Sequence, residues 1–225
     1  MVIDITKEFS LDIDKMHNLL VAGKTGSGKS YFLHKLITSL SKTNKEQMQL
    51  VLIDLKNYEF NRYKTNENLY LPIANDEDSA LNSLNSVFAE IDRRLSLFDE
   101  SNVFKIEDYN KISENKLPRI IVIIDEAVDL LGYETKGGKL LQRIAALSGN
   151  TGVDLVLSTQ MLCYEMLFPS LKANLRSKIC FSVFEKISSL LAIGEEGAEK
   201  LKKGEFLYYN PSKGYTIKHK IDKEK

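Results

Sequence analysis

The stretch Gly23-Lys24-Thr25-Gly26-Ser27-Gly28-Lys29-Ser30 matches the pattern G-x4-G-K-S in full. Glycines there let the backbone curl so that successive N–H groups point inward at phosphate oxygens. A helix starting at the same place adds its positive dipole end. In such a loop Lys29 is expected to reach the β- and γ-phosphates of ATP, and the Ser30 hydroxyl to ligate magnesium. Tyr31 closes the binding stretch. A chance match occurs in roughly one chain in a hundred of this length. Here the context is also right, because the apolar run Leu19 to Ala22 reads as a buried strand and Tyr31 to Leu40 as the helix that follows.

Outward from this loop, apolar runs alternate with helical patterns in the order expected of a parallel sheet with helices on both faces. Leu50 to Ile53 reads as a strand ending at Asp54. Asp76 to Phe98 reads as a long amphipathic helix with Leu81, Leu84, Phe88, Ile91, Leu95 and Phe98 on its apolar face and Asn75 as its N-cap. Ile120 to Ile124 is apolar throughout, as a strand buried on both faces would be. Leu155 to Leu157 and Ile179 to Val183 supply two more strands, with a helix over Lys139 to Leu147 before them and its exit at Thr151-Gly152. Phe206 to Tyr209 and Tyr215 to Lys218, joined by Asn-Pro-Ser-Lys-Gly, read as a closing hairpin. The fold class predicted is an α/β domain with about five parallel strands and a C-terminal β-hairpin, residues 1–225 forming one domain.

The second chemical element is Asp125-Glu126, which closes the Ile120 to Ile124 run. An acid at the tip of a central strand can hold magnesium opposite Ser30, and a second acid beside it is placed to polarise an attacking water. Asp125 is therefore expected to carry the metal and Glu126 to be the general base, which makes the chain a hydrolase and not a kinase. Gln160, at the tip of the next strand, is expected to sense the γ-phosphate. Ala146-Leu147-Ser148-Gly149 superficially matches a transporter signature, but it follows the Asp-Glu strand instead of preceding it and lacks the second Gly and the Gln.

The 225 residues suffice for one well-filled core. Formal net charge is zero, with 31 basic and 31 acidic residues, which gives no support to a passive nucleic-acid coat. The lysine-rich tail from Ala198 to Lys225 reads as a solvated end. The longest apolar run is far short of the ~20 residues of a membrane span, and MVIDITKEFS has no apolar leader core, so no membrane segment and a cytoplasmic location are expected. Cys163 and Cys180 read as reduced, partly buried thiols.

Taken together, these residues resemble the motor domain of the FtsK/SpoIIIE DNA translocases, within the FtsK–HerA ATPase superfamily. Lys15-Met16 and Leu19 to Ser30 resemble the family's K-M-P-H-L-L-V-A-G-x-T-G-S-G-K-S. Ile53-Asp54-Leu55-Lys56 with Glu59 and Tyr63 is similar to I-D-P-K-x-x-E-x-x-x-Y, and Glu90 with Arg93-Arg94 to E-x-x-R-R. Ile124-Asp125-Glu126 with Asp129-Leu130, Thr159-Gln160, Lys172-Ala173-Asn174, Gly197 to Leu201 and Gly204 to Leu207 follow in the family's order.

The resemblance implies a RecA-like P-loop fold and a homo-oligomeric, hexameric ring that threads double-stranded DNA, with ATP hydrolysed at subunit interfaces. An arginine acting across the interface is implied as well, for which Arg143 and Arg176 are candidates. The family's arginine in S-K-I-D-S-R is Leu190 here, and the following aspartate is Gly194. The pore would be lined by two loops, 132–139 with Lys136 and Lys139, and 162–176 with Lys172 and Arg176, contacting DNA phosphates. No membrane helices and no winged-helix domain accompany the motor, a pattern implying a stand-alone form serving a mobile element, in conjugation or alongside a relaxase or membrane-complex partner. The alternatives are a viral genome-packaging ATPase, a protein-secretion ATPase of the same superfamily, and a regulatory nucleotide-binding module.

Overall fold

The computed structural model describes residues 1–131, 135–160 and 169–221. In chain order the strands and α-helices are β1 (Val2–Asp4), β2 (Ser10–Asp12), α1 (Ile13–Met16), β3 (Leu19–Ala22), α2 (Lys29–Leu40), β4 (Met48–Asp54), α3 (Glu77–Glu100), α4 (Ile106–Ile112), β5 (Arg119–Asp125), α5 (Lys136–Leu147), β6 (Val153–Thr159), α6 (Pro169–Asn174), β7 (Ser177–Phe181), α7 (Lys186–Ile193), β8 (Glu205–Asn210) and β9 (Tyr215–Lys220). The main sheet runs β4-β5-β6-β3-β7-β8-β9. Its first five strands are parallel; β8 adds antiparallel to β7, and β9 antiparallel to β8. The five-strand parallel core and the closing hairpin are as the sequence predicts.

Strand residues alternate between two cores. Leu50, Leu52, Ile121, Ile123, Leu19 and Val21 face α2 and the small β1–β2 hairpin. Val51, Ile53, Ile120, Val122, Ile124 and Leu20 face α3, α5 and α6. Burial on both faces explains why these strands read as continuous apolar runs.

Three expectations are corrected. Asp76, not Asn75, caps α3: its carboxylate accepts from Ser79 N at 2.7 Å, in a reciprocal capping box. The buried face of α3 is Ala80, Leu84, Val87, Ile91, Arg94 and Phe98, while Leu95 is exposed. The apolar stripe is rotated because the Arg94 stem occupies a core position that a hydrophobicity count skips. Lys136 to Lys139 is not a free loop but the first turn of α5, capped by Thr135, which accepts from Gly138 N at 3.0 Å. Gly137 serves close packing there, since a Cβ would stand 3.0 Å from the Leu130 carbonyl. In the other proposed loop, residues 169–174 are helical; 132–134 and 161–168, with Cys163, lie outside the described residues.

Candidate active site

The loop from Gly23 to Gly28 sits at the C-terminal end of β3, between the tips of β6 and β7, where the direction of sheet growth switches. It is tied to both neighbours: Gly23 N donates to Thr159 O (3.2 Å) and Lys24 N to Ser182 O (2.8 Å). Behind it, Gly204 N donates to Ser27 O at 2.8 Å. Gly23 has φ 151°, and a Cβ there would lie 2.7 Å from Phe181 Cβ and 2.9 Å from Ser27 Oγ. Only glycine fits that turn. Ser27 Oγ is buried with no hydrogen-bond partner among the described residues, a polar atom facing a cradle built for another oxygen-rich group.

Lys29 opens α2 and is buried, its ammonium donating to the Gly23 carbonyl. Burial lowers its pKa, against the pull of Glu126 and Asp125. Across from it stand the two acids at the end of β5, Asp125 in the strand and Glu126 just past it. Asp125, half-buried, is pushed up from the usual carboxylate range by burial, with Glu126, Glu59 and Asp54 adding to the effect and the Ser158 hydroxyl opposing it. Such a crowd of acids is short of positive charge. With the Ser30 hydroxyl it offers the hard oxygen donors that magnesium prefers. No group of three or more His, Cys, Asp or Glu side chains is clustered for a metal among the described residues.

Glu126 is 4% exposed and adopts the left-handed backbone conformation, φ 51°, which turns its carboxylate back over the strand tips. One oxygen accepts from Gln160 N at 2.9 Å; the other lies 3.7 Å from Lys56 Nζ. The Gln160 side chain in turn accepts from Thr25 Oγ1. Lys29, Asp125, Glu126 and Gln160 are thus brought together at one rim of the sheet. Tyr31 lies half-buried on α2, packed against the core with the Lys35 ammonium 5.7 Å from its ring centroid.

The sequence reading missed Lys56 as a member of this site. Its signal was the strand-end I-D-L-K, because β4 and β5 end in register at Asp54 and Asp125. The rest of that segment has a structural job. Asp54 accepts from Tyr58 N and Phe60 N (2.9 and 3.0 Å), and Glu59 and Tyr63 hold His34 of α2 at 3.1 and 2.9 Å.

The remaining candidates lie elsewhere. Arg143 is exposed on α5, its guanidinium 4.1 Å from the Phe88 ring centroid, in a groove with Lys136, Lys139 and Asp78. Arg176 precedes β7 at the opposite end of the sheet from the phosphate loop, its N–H donating to His17 O, and Lys172 is in the last turn of α6 on the way there.

A parallel sheet with this loop and this pair of acids at its carboxyl rim defines a phosphate-loop ATPase of the RecA-like type. The FtsK/SpoIIIE family pattern matches residues 2–115, just over half of the chain, and the chain belongs to the FtsK/SpoIIIE family. It is 34% identical over 224 residues to a DNA translocase FtsK of Staphylococcus epidermidis, covering 93% of this chain and 28% of the relative. It is 38% identical over 201 residues to one of Caldanaerobacter subterraneus subsp. tengcongensis, covering 88% and 28%. The chain therefore spans little more than a quarter of the length of these relatives. Among solved structures, the pCW3 conjugation coupling protein TcpA with ATPγS superposes with TM-score 0.83 at 26% identity, over 98% of this chain and 64% of that one. The cytoplasmic domain of the Thermomonospora curvata type VII secretion ATPase EccC shares the fold, with TM-score 0.85 at 24% identity over 98% and 28%. No helix is long and apolar enough to cross a membrane among the described residues.

Proposed function

We propose that this chain is an ATP-hydrolysing motor that moves double-stranded DNA, working as a hexameric ring in the transfer or processing of a mobile element. The observation that carries the hydrolytic part is the placement of Glu126, buried, held by Gln160 N and Lys56, and facing the same rim as Lys29. Identity to the DNA translocases and to a conjugation coupling protein supports the choice of polymer and of setting.

In this reading Gly23 to Tyr31 cradle the triphosphate, and Lys29 leaves the Gly23 carbonyl to hold the β- and γ-phosphates. Ser30 and Asp125 would hold magnesium, whose charge would offset that developing on the phosphoryl oxygens. Glu126 takes a proton from the attacking water, and Lys56 and Gln160 N hold its carboxylate aimed. Gln160 links the γ-phosphate position to Thr25 on one side and Glu126 on the other. Arg143 is the candidate for the neighbouring subunit's site. Lys136, Lys139, Lys172 and Arg176 are the candidates for phosphate contacts along DNA.

The test is ATP turnover with duplex DNA, with single-stranded DNA and with no polymer. Duplex should stimulate most, and the rate per chain should rise steeply with protein concentration. Lys29→Ala should abolish turnover, and Glu126→Gln should keep ATP bound while losing at least ~10²-fold in rate. Replacing Lys136, Lys139 and Lys172 together by alanine should leave basal turnover and remove the stimulation. Turnover indifferent to every nucleic acid would sink the DNA reading, and normal turnover by Glu126→Gln would sink the assignment of the base.

A further inference from the structure

The chain leaving β7 passes directly beside the phosphate loop. Ser182 O accepts from Lys24 N, and Val183 N donates to Ala198 O at 3.3 Å, so this segment is anchored on both sides. Two residues beyond Ser182, Phe184 is 80% exposed, an extreme value for a phenyl ring on a well-anchored segment. Its ring centroid is 5.1 Å from Lys24 Nζ. Ile187, in the first turn of α7, is also exposed.

Strand order says what should lie on that surface. The groups placed to act on the terminal phosphate, Glu126 and Gln160, are at the tips of β5 and β6, on one side of β3. β7 and Phe184 are on the other side. A triphosphate gripped in the loop with its reacting end toward β6 must carry its sugar and base toward β7.

We propose that Phe184 is the platform on which the nucleobase of the bound nucleotide stacks, with Lys24, already over the ring, flanking the stack. The ligand class is a purine nucleoside triphosphate: a flat aromatic base gains most from an exposed aromatic face, and a neighbouring ammonium favours both π-systems. The inference rests on the phosphate-loop reading above. It adds the residue that turns a triphosphate site into a nucleotide site.

The experiment compares binding of a non-hydrolysable ATP analogue with that of inorganic tripolyphosphate, both with magnesium, by calorimetry. Phe184→Ala should weaken the ATP analogue roughly tenfold, the size of one lost base–aromatic stack, and leave tripolyphosphate unchanged. Because the chain contains no tryptophan, Phe184→Trp supplies a single reporter; its emission should change with the ATP analogue and not with tripolyphosphate. Equal loss of both ligands in Phe184→Ala, or no loss of either, overturns the platform. So does unchanged nucleotide affinity accompanied by a change in sedimentation, which would make Phe184 a subunit contact. Failure of the wild type to bind tripolyphosphate at all would instead sink the phosphate-loop reading itself.

Discussion

Glu126 shows how much can turn on one backbone angle. At φ 51° it pays the steric cost that non-glycine residues incur in the left-handed region, and the contacts with Gln160 N and Lys56 offset that cost. A run of Ile residues ending in two acids predicts that an acid stands at the strand tip; it does not predict the turn that buries the second acid, or which lysine meets it. Asp154 makes the same point away from the site. It is fully buried, with Oδ2 3.3 Å from Arg119 Nη1. Burial raises its pKa to about 6, against the pull of Arg119 and of a hydrogen bond involving Asn18, while Asp14 and Glu107 push it the same way as burial. Since the unfolded value is about 4, the folded state binds the extra proton between those limits. Its contribution to stability is therefore complete below about pH 4 and is lost as pH rises through about 6. Asp154→Asn should change this profile: compared by urea unfolding, the variant should gain on the wild type by on the order of 2 kcal/mol between pH 4 and pH 7. A stability difference between the two proteins that is the same at both pH values would contradict the assignment.

Among the elements, α3 depends on a single charged residue. Arg94 is fully buried, yet both ends of its guanidinium are used: Nε donates to Glu90 at 2.7 Å and Nη1 to the Thr151 carbonyl at 2.8 Å. It bolts α3 to the turn that feeds β6. Removing Arg94 takes the side-chain donor from the buried Thr151 carbonyl, leaves Glu90 with Arg93 alone and empties a core position, so Arg94→Ala should cost about 3–5 kcal/mol. Chemical unfolding measures this directly, and a loss under 1 kcal/mol would mean that α3 is held by its apolar face alone. The helix itself was legible from its 3.6-residue rhythm, as were the five parallel strands from their apolar runs. What the pattern could not show were elements too short for a period, β1, β2 and α1, and α4, whose buried residues are only Ile106 and Tyr109. The start of α5 was hidden for another reason. Lys136-Gly137-Gly138-Lys139 carries loop composition, and only the Thr135 cap and the close approach to Leu130 make it helical.

At the scale of the molecule, the motif residues near positions 23–30, 125–126 and 160 come together because the order of strands in the sheet differs from their order in the chain. β3 pairs only with β6 and β7, whose residues begin at 153 and 177. The loop's own hydrogen bonds go to Thr159 and Ser182. During synthesis, β3 emerges early and then has no strand to join until more than a hundred further residues have been made. At ribosomal speeds the gap between Ser30 and Ser182 lasts roughly 10–30 s. β4 and β5 can pair in that interval; the phosphate loop cannot take its final shape. The capacity to hold a nucleotide therefore arrives late in the life of the nascent chain, however early its signature is translated. A fragment ending at residue 150 would contain Gly23 to Ser30 and Asp125-Glu126 intact and should bind no ATP analogue in equilibrium dialysis, whereas the whole chain should. If the fragment binds as the whole chain does, the loop is self-supporting, and its ties to β6 and β7 are not what gives it its shape.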